Sequence, residues 1–194
     1  MKLSFQPGAT PLDPDEAAGL IPSSVSTMAE LNEFEQANIL SAQEWVLRQR
    51  TADLLSDAFI RKLHQRMLGE VWKWAGTYRT SNKSIGVEWP QIRGDLQKLC
   101  ADARFWMERQ IYGWDELGAR FHHRLVLIHP FANGNGRHAR LLTDALLIRH
   151  GQPLFSWGAS KSLGNPVEVR ARYIAALQDA DQKRFGPLIA FVRA

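Results

Sequence analysis

Two helical stretches joined by a glycine-bracketed turn, His129 to Arg140 (HPFANGNGRHAR), constrain this 194-residue chain more than any other feature. Before the turn, Trp114-Asp115-Glu116 opens an apolar series, Leu117, Phe121, Leu125 and Ile128, at helical spacing. Pro130 disfavours helical backbone at the residue before it, so this helix should end at His129. A second helix is predicted from about Arg137, carrying Leu141, Leu142, Ala145 and Ile148 inward and stopping at His150-Gly151-Gln152-Pro153. The local fold is therefore helix, tight loop, helix, with Arg137 and Arg140 on one face near the start of the second helix.

Such a loop suits an anion. Glycines let backbone N–H groups approach closely, and the helix that follows adds the partial positive charge of its N-terminus. Gly134, Asn135 and Gly136 would supply those donors, and Arg137 and Arg140 would neutralise phosphate oxygens in fork geometry. His129 has an ordinary pKa near neutrality, suited to taking a hydroxyl proton. Asn133 offers a neutral oxygen to a hard cation such as Mg²⁺, which keeps most of its other ligands as water and phosphate.

The rest of the chain reads as one all-α domain. Residues 1–25, rich in proline and small residues, form an N-terminal arm with one helix signal at Asp13-Pro14-Asp15-Glu16. Residues 26–194 form the domain, with helical patterns at about 28–49, 53–70, 91–111, 115–128, 136–150 and 165–180, and a last one after Pro187. Net charge is only +4 and the arginines are scattered, so no nucleic-acid partner is expected. Cys100 is the only cysteine, which excludes an internal disulfide. No signal peptide and no stretch of membrane-spanning length is evident, and a cytoplasmic protein is expected. The histidines lack zinc-ligand spacing, and no GxxxxGK(S/T) phosphate loop occurs.

HPFANGNGRHAR resembles the signature of the Fic (filamentation induced by cAMP)/Doc family, HPFx(D/E)GN(G/K)RxxR, departing only at Asn133, where the family usually has an acidic Mg²⁺ ligand. The resemblance implies a Fic fold, a helical bundle with a small β-hairpin flap beside the active-site loop. It implies His129 as general base, Asn133 as metal ligand, Gly134 to Gly136 as anion hole, Arg137 on the inner phosphates and Arg140 on the γ-phosphate. Relatives resembling the Doc toxin carry Lys at the Gly136 position and transfer the γ-phosphate, whereas those with Gly generally transfer AMP from ATP. The implied activity is protein adenylylation of a Ser, Thr or Tyr hydroxyl, with ATP as co-substrate, Mg²⁺ as cofactor, and a target protein or the chain itself as acceptor. The alternatives are a same-fold phosphotransferase or de-AMPylating hydrolase, and a non-catalytic interaction module of a toxin-antitoxin pair.

Two further segments share the resemblance. Trp72 to Arg79 is similar to the run before the family's flap, and Thr80 to Trp89 (TSNKSIGVEW) is predicted to form that hairpin, with Ser84, Ile85, Gly86 and Val87 docking the target by strand addition; the alternative is an ordinary surface loop. Ser26 to Leu31 is similar to the inhibitory motif (S/T)xxxE(G/N), with Leu31 in place of Gly or Asn; Glu30 would then pair with Arg140. Glu33 is the alternative acid, and a solvated first-turn acid the alternative role. On the apolar pattern, Leu31, Phe34, Asn38 and Ala42 or Trp45 form the inner stripe of that helix. The arm PGATPLDPDEAAGLIP followed by ELNEFEQANI resembles the mobile mystery protein B branch of the family.

Overall fold

Residues 13–159 and 165–194 are described in the computed structural model, so the first twelve residues of the predicted arm lie outside it. The helices are α1 (Pro14–Ala17), α2 (Met28–Leu47), α3 (Asp57–Leu68), α4 (Ile92–Glu108), α5 (Trp114–Ile128), α6 (Asn135–Arg149), α7 (Pro166–Asp181) and α8 (Gly186–Val192), with a 3-10 turn at Trp89–Gln91. No helix of the described residues is long and apolar enough to cross a membrane.

Their starts follow local chemistry. Thr27 and Glu30 make a reciprocal capping box at α2: Glu30 N–H donates to Thr27 Oγ1 (3.2 Å) and Thr27 N–H to Glu30 Oε2 (2.9 Å). Ser56 caps α3, and α7 opens as predicted, with Asn165 as cap and Pro166 at the first helical position.

The helices form two packed groups. In the larger, α2 lies on α3, α3 on α6, α6 on α5 and α5 on α4, around Leu63, Met67, Leu68, Leu99, Phe121, Leu125, Phe131 and Leu142. In the smaller, α7 packs on α8 and α8 on α5 around Ala119, Leu147, Phe155, Tyr173, Leu188 and Phe191. Helix α6 lies between the groups and is buried on most sides, from Asn135 and His138 through Leu147. Ile148, expected inside, faces outward at 38% exposure.

Helix α2 departs from its predicted face. The buried stripe is Leu31, Glu35, Ile39, Ala42 and Val46, and Phe34 is 44% exposed. An acid thus takes the inner position that the apolar pattern assigned to Phe34. Two charge-assisted hydrogen bonds make this tenable: Trp72 Nε1–H donates to Glu35 Oε1 (2.7 Å) and Arg137 Nη1–H to Glu35 Oε2 (2.6 Å).

The predicted hairpin at residues 80–89 is absent: no strand ladder occurs among the described residues, only the isolated bridges Leu20–Trp72 and Tyr78–Phe131. The segment bonds instead to the end of α5 and the loop beyond it. Arg79 N–H donates to the Pro130 carbonyl (3.0 Å) and Val87 N–H to that of Ile128 (3.4 Å). Inside the loop, the Arg79 guanidinium donates to the carbonyls of Ser81 (2.7 Å) and Val87. A side chain therefore satisfies acceptors that a ladder would otherwise have to meet. From outside, Lys83 Nζ, only 3% exposed, clasps Asp13 (2.7 Å) and Glu16 (2.6 Å) and ties α1 to the segment.

Candidate active site

His129 closes α5 in the left-handed region (φ 53°), where its N–H still reaches the Leu125 carbonyl (3.2 Å). Non-glycine residues adopt this backbone at a cost, tolerated where surroundings determine it. Here Arg79 does so. Only 4% exposed, it donates from Nε to the His129 carbonyl (2.7 Å) and from Nη2 to that of Ile128 (3.5 Å). Burial, then the Arg79 charge, lower the His129 pKa to about 4, against a hydrogen bond with Val126 that raises it. The imidazole is therefore neutral at pH 7 and able to accept a proton.

The turn after His129 is stapled from within. Asn135, buried at 3% exposure, accepts the Phe131 N–H at Oδ1 (2.9 Å) and donates from Nδ2 to the Phe131 carbonyl (2.8 Å). Its side chain is spent on the loop; what it can offer an anion is its backbone N–H. Gly134 (φ 77°) is the N-cap of α6, and a Cβ there would lie 2.7 Å from Leu68 Cδ1, so close approach as well as conformation requires glycine. Below the turn, His64 receives the Gly76 N–H at Nδ1 (3.0 Å), which leaves Nε2–H to donate to the Asn133 carbonyl (3.0 Å). Its ring stacks on Phe131 at a centroid distance of 3.7 Å.

Asn133 turns Oδ1 back onto the Gly134 N–H (2.6 Å). Among the described residues no group of three or more His, Cys, Asp or Glu stands ready to hold a metal. The loop thus offers one neutral oxygen, which fits a Mg²⁺ ion held chiefly by nucleotide oxygens and water rather than by the protein alone.

The two arginines of the turn meet different neighbours. Arg137 is paired with Glu35, whereas the Arg140 guanidinium lies over the Tyr173 ring at 4.5 Å and the Trp157 ring at 5.7 Å. Glu30, the acid expected at Arg140, is at the start of α2 with its carboxylate on Ser26 N–H (2.8 Å), Ser26 Oγ (3.0 Å) and Thr27 N–H. These bonds hold its pKa below the usual carboxylate range.

Of the predicted docking residues, Ser84, Ile85 and Gly86 are exposed and Val87 is half-buried. Gly86 (φ 109°) backs onto the base: a Cβ there would lie 2.8 Å from His129 Cβ and 2.7 Å from Arg79 Nη2. Sequence reading missed Arg79, His64 and Glu35. Arg79 was named only as the end of the run before the flap and His64 carried no motif, and Glu35 is legible only through its distant partners.

Comparison with known proteins points one way. Residues 54–147 match the Fic/DOC family. Protein adenylyltransferase fic-1 of Caenorhabditis briggsae is 34% identical over 137 residues, 69% of this chain and 25% of that protein. Protein adenylyltransferase Fic of Nematostella vectensis is 32% identical over 154 residues, 75% of this chain and 33% of that one. The chain thus spans a quarter to a third of the length of these curated relatives. Among solved structures, Fic-1 from C. elegans superposes with a TM-score of 0.64 at 27% identity, over 91% of this chain and 51% of that one. BepC of Bartonella tribocorum, solved with bound AMPPNP, superposes with a TM-score of 0.68 at 16% identity, over 93% of this chain and 97% of that one.

Proposed function

As a chain that carries a Fic/DOC family domain over residues 54–147, this protein is, we propose, a protein adenylyltransferase that moves AMP from ATP to a Ser, Thr or Tyr hydroxyl. The observation that carries the reading is a buried histidine of lowered pKa at the C-cap of α5, followed after five residues by the N-terminus of α6, whose first turns carry Arg137 and Arg140. The names of the curated relatives support the same activity.

In this reading the N–H groups of Asn135 and Gly136 and the guanidinium groups of Arg137 and Arg140 receive the triphosphate. His129 takes the proton of the attacking hydroxyl, the new bond forms between that oxygen and the α-phosphorus, and the bond to the bridging oxygen breaks to release pyrophosphate. Asn133 would hold the Mg²⁺ that accompanies ATP, and that ion would neutralise charge on the phosphates. Residues 84–87 form the rim against which a target chain would lie, and the contact between Gly86 and His129 brings any residue docked there beside the base. Most of the rate enhancement is positioning and charge stabilisation. The acceptor is a protein hydroxyl, with self-modification included. The PGATPLDPDEAAGLIP arm and the ELNEFEQANI run after it are the sequence likeness that supports the mobile mystery protein B branch.

Control by an acid is part of the reading, and Glu35 is better placed for it than Glu30. Its carboxylate occupies Arg137, a group assigned to the phosphates, whereas Glu30 serves the cap. Glu35→Gln keeps an acceptor for Trp72 and removes the competing charge. It is expected to raise transfer about threefold to tenfold, an ion pair of this kind being worth roughly 1 kcal/mol; Glu30→Gly is expected to leave the rate within about twofold. Activation by Glu30→Gly alone would reverse this assignment.

The deciding experiment supplies Mg²⁺ with ATP labelled on the α- or the γ-phosphate to the protein in a bacterial lysate. Label from the α-position on protein supports the reading. Label from the γ-position would make the chain a phosphotransferase, and no transfer of either would favour AMP removal or a binding role.

A further inference from the structure

Arg140 stands apart from the other arginine of the turn in how it is held. Arg137 is paired with a carboxylate; Arg140 has no ion pair among the described residues, and its buried Nε finds no hydrogen-bond partner there. Two aromatic side chains contact its guanidinium instead, Tyr173 from α7 through its ring and its hydroxyl and Trp157 from the connection after α6, while the Asp144 carboxylate acts on it by charge without forming an ion pair. Both rings are themselves fixed. The Tyr173 hydroxyl shares a 2.7 Å hydrogen bond with Nε2 of His122, a fully buried residue of α5. Trp157 donates from Nε1 to Asp144 Oδ2 (2.9 Å), one turn beyond Arg140 on α6, and lies tilted at 49° against the His122 ring at a centroid distance of 4.6 Å. Trp157 also has φ 52°, an uncommon backbone for a bulky side chain, and this strain is accepted to present the ring where it is. The hydroxyl of Tyr173 reaches the turn as well, 3.9 Å from where a Cβ on Gly136 would sit.

We infer that Tyr173 and Trp157 form an aromatic seat, pinned by His122 and Asp144, that orients Arg140 toward the outer phosphates of the nucleotide without cancelling its charge. A carboxylate in the same place would orient the guanidinium and neutralise it together; a ring face attracts the cation through its quadrupole and leaves the full charge for an incoming anion. The seat joins residues inside the family match to two outside it, since Tyr173 and Trp157 fall beyond residue 147. It gives the smaller helical group a part in the chemistry: α7, packed on α8 and bonded to α5 through Tyr173 and His122, brings Tyr173 to Arg140. These are positioning residues, acting through Arg140, and the inference rests on the nucleotide-transfer reading above.

The test is binding of ATP and of AMP, followed by calorimetry, to the wild type, Tyr173→Phe, Tyr173→Leu, Arg140→Ala and the Tyr173→Leu/Arg140→Ala double variant. Tyr173→Leu removes the ring and should weaken ATP about tenfold while leaving AMP within about twofold. Tyr173→Phe keeps the ring and should stay within about threefold of the wild type for both. In the Arg140→Ala background, Tyr173→Leu should have no further effect. Equal ATP affinity in a folded Tyr173→Leu, equal losses for ATP and AMP, or additive losses in the double variant would each overturn the seat. Failure of the wild type itself to bind ATP would be seen before any variant is compared, and would overturn the transfer reading together with the seat.

Discussion

His129→Ala is expected to lower AMP transfer by at least about a hundredfold and to leave ATP affinity within about twofold, because it removes the base and none of the groups assigned to the phosphates. The backbone complicates the choice of variant, since residue 129 sits at φ 53°. His129→Asn is the better companion: asparagine accepts the left-handed region readily and supplies no base. Both variants should lose transfer alike if the imidazole is what matters. Burial and Arg79 keep His129 unprotonated well below neutrality, so the wild-type rate should be flat between pH 8 and 6.5, without the inflection of an ordinary histidine. Measurement of α-label transfer beside calorimetric ATP binding separates these effects. Full activity in His129→Asn would remove His129 from the mechanism.

The fold should fail steeply in mild acid. Burial is the first cause in each of five depressed histidines; beside the partly exposed His150, four are deeply buried: His64 lies well below its ordinary value, His122 at about 3, and His129 and His138 at about 4. The geometry gives the reason. Each nitrogen of His64 already has a backbone partner, and a second ring proton would face the Gly76 N–H; His138 Nε2 meets the Ile60 carbonyl (3.0 Å) inside the core. Since the folded pKa values are depressed, the unfolded chain takes up protons first as pH falls below about 6.5, and stability is lost from there toward the lower folded values. Asp144, raised by burial to about 6, has the opposite sign: below about 6 the folded state takes its proton first and offsets one of the four. Three uncompensated protons correspond to roughly 4 kcal/mol per pH unit, against a total stability of about 5–15 kcal/mol for a domain. The thermal midpoint should be level above pH 7 and fall sharply below 6.5, with unfolding near pH 5. His138→Gln should soften the slope by about one proton. A midpoint that stays level to pH 5 would contradict this.

What could be read from the sequence was whatever is local. The ends of α5 and α6, the stop at Pro130 and the cap at Asn165-Pro166 depend on near neighbours in the chain, and they lie within one or two residues of their expected places. The inner face of α2 did not yield to the same reasoning. Apolar periodicity favours Phe34 over Glu35, and only Trp72 and Arg137, 37 and 102 residues away, make a buried acid tolerable. The flap segment failed for a related reason: its turn-rich composition suggested a ladder, but a buried Arg79 supplied donors from within. Nothing near Tyr173 and Trp157 in sequence marks Arg140 as their neighbour. In the candidate site, the motif residues were legible and the residues that orient them were not.

The lone Cys100 lies inside α4, 4% exposed, with its thiol pushed up to about 11 by burial. A thiol that is sheltered and almost wholly protonated at neutral pH reacts slowly with maleimides. The chain is therefore ready for single-site labelling without first removing its native cysteine. Ser84→Cys, on the exposed rim beside His129, would take a fluorophore alone and report in real time on whatever settles there.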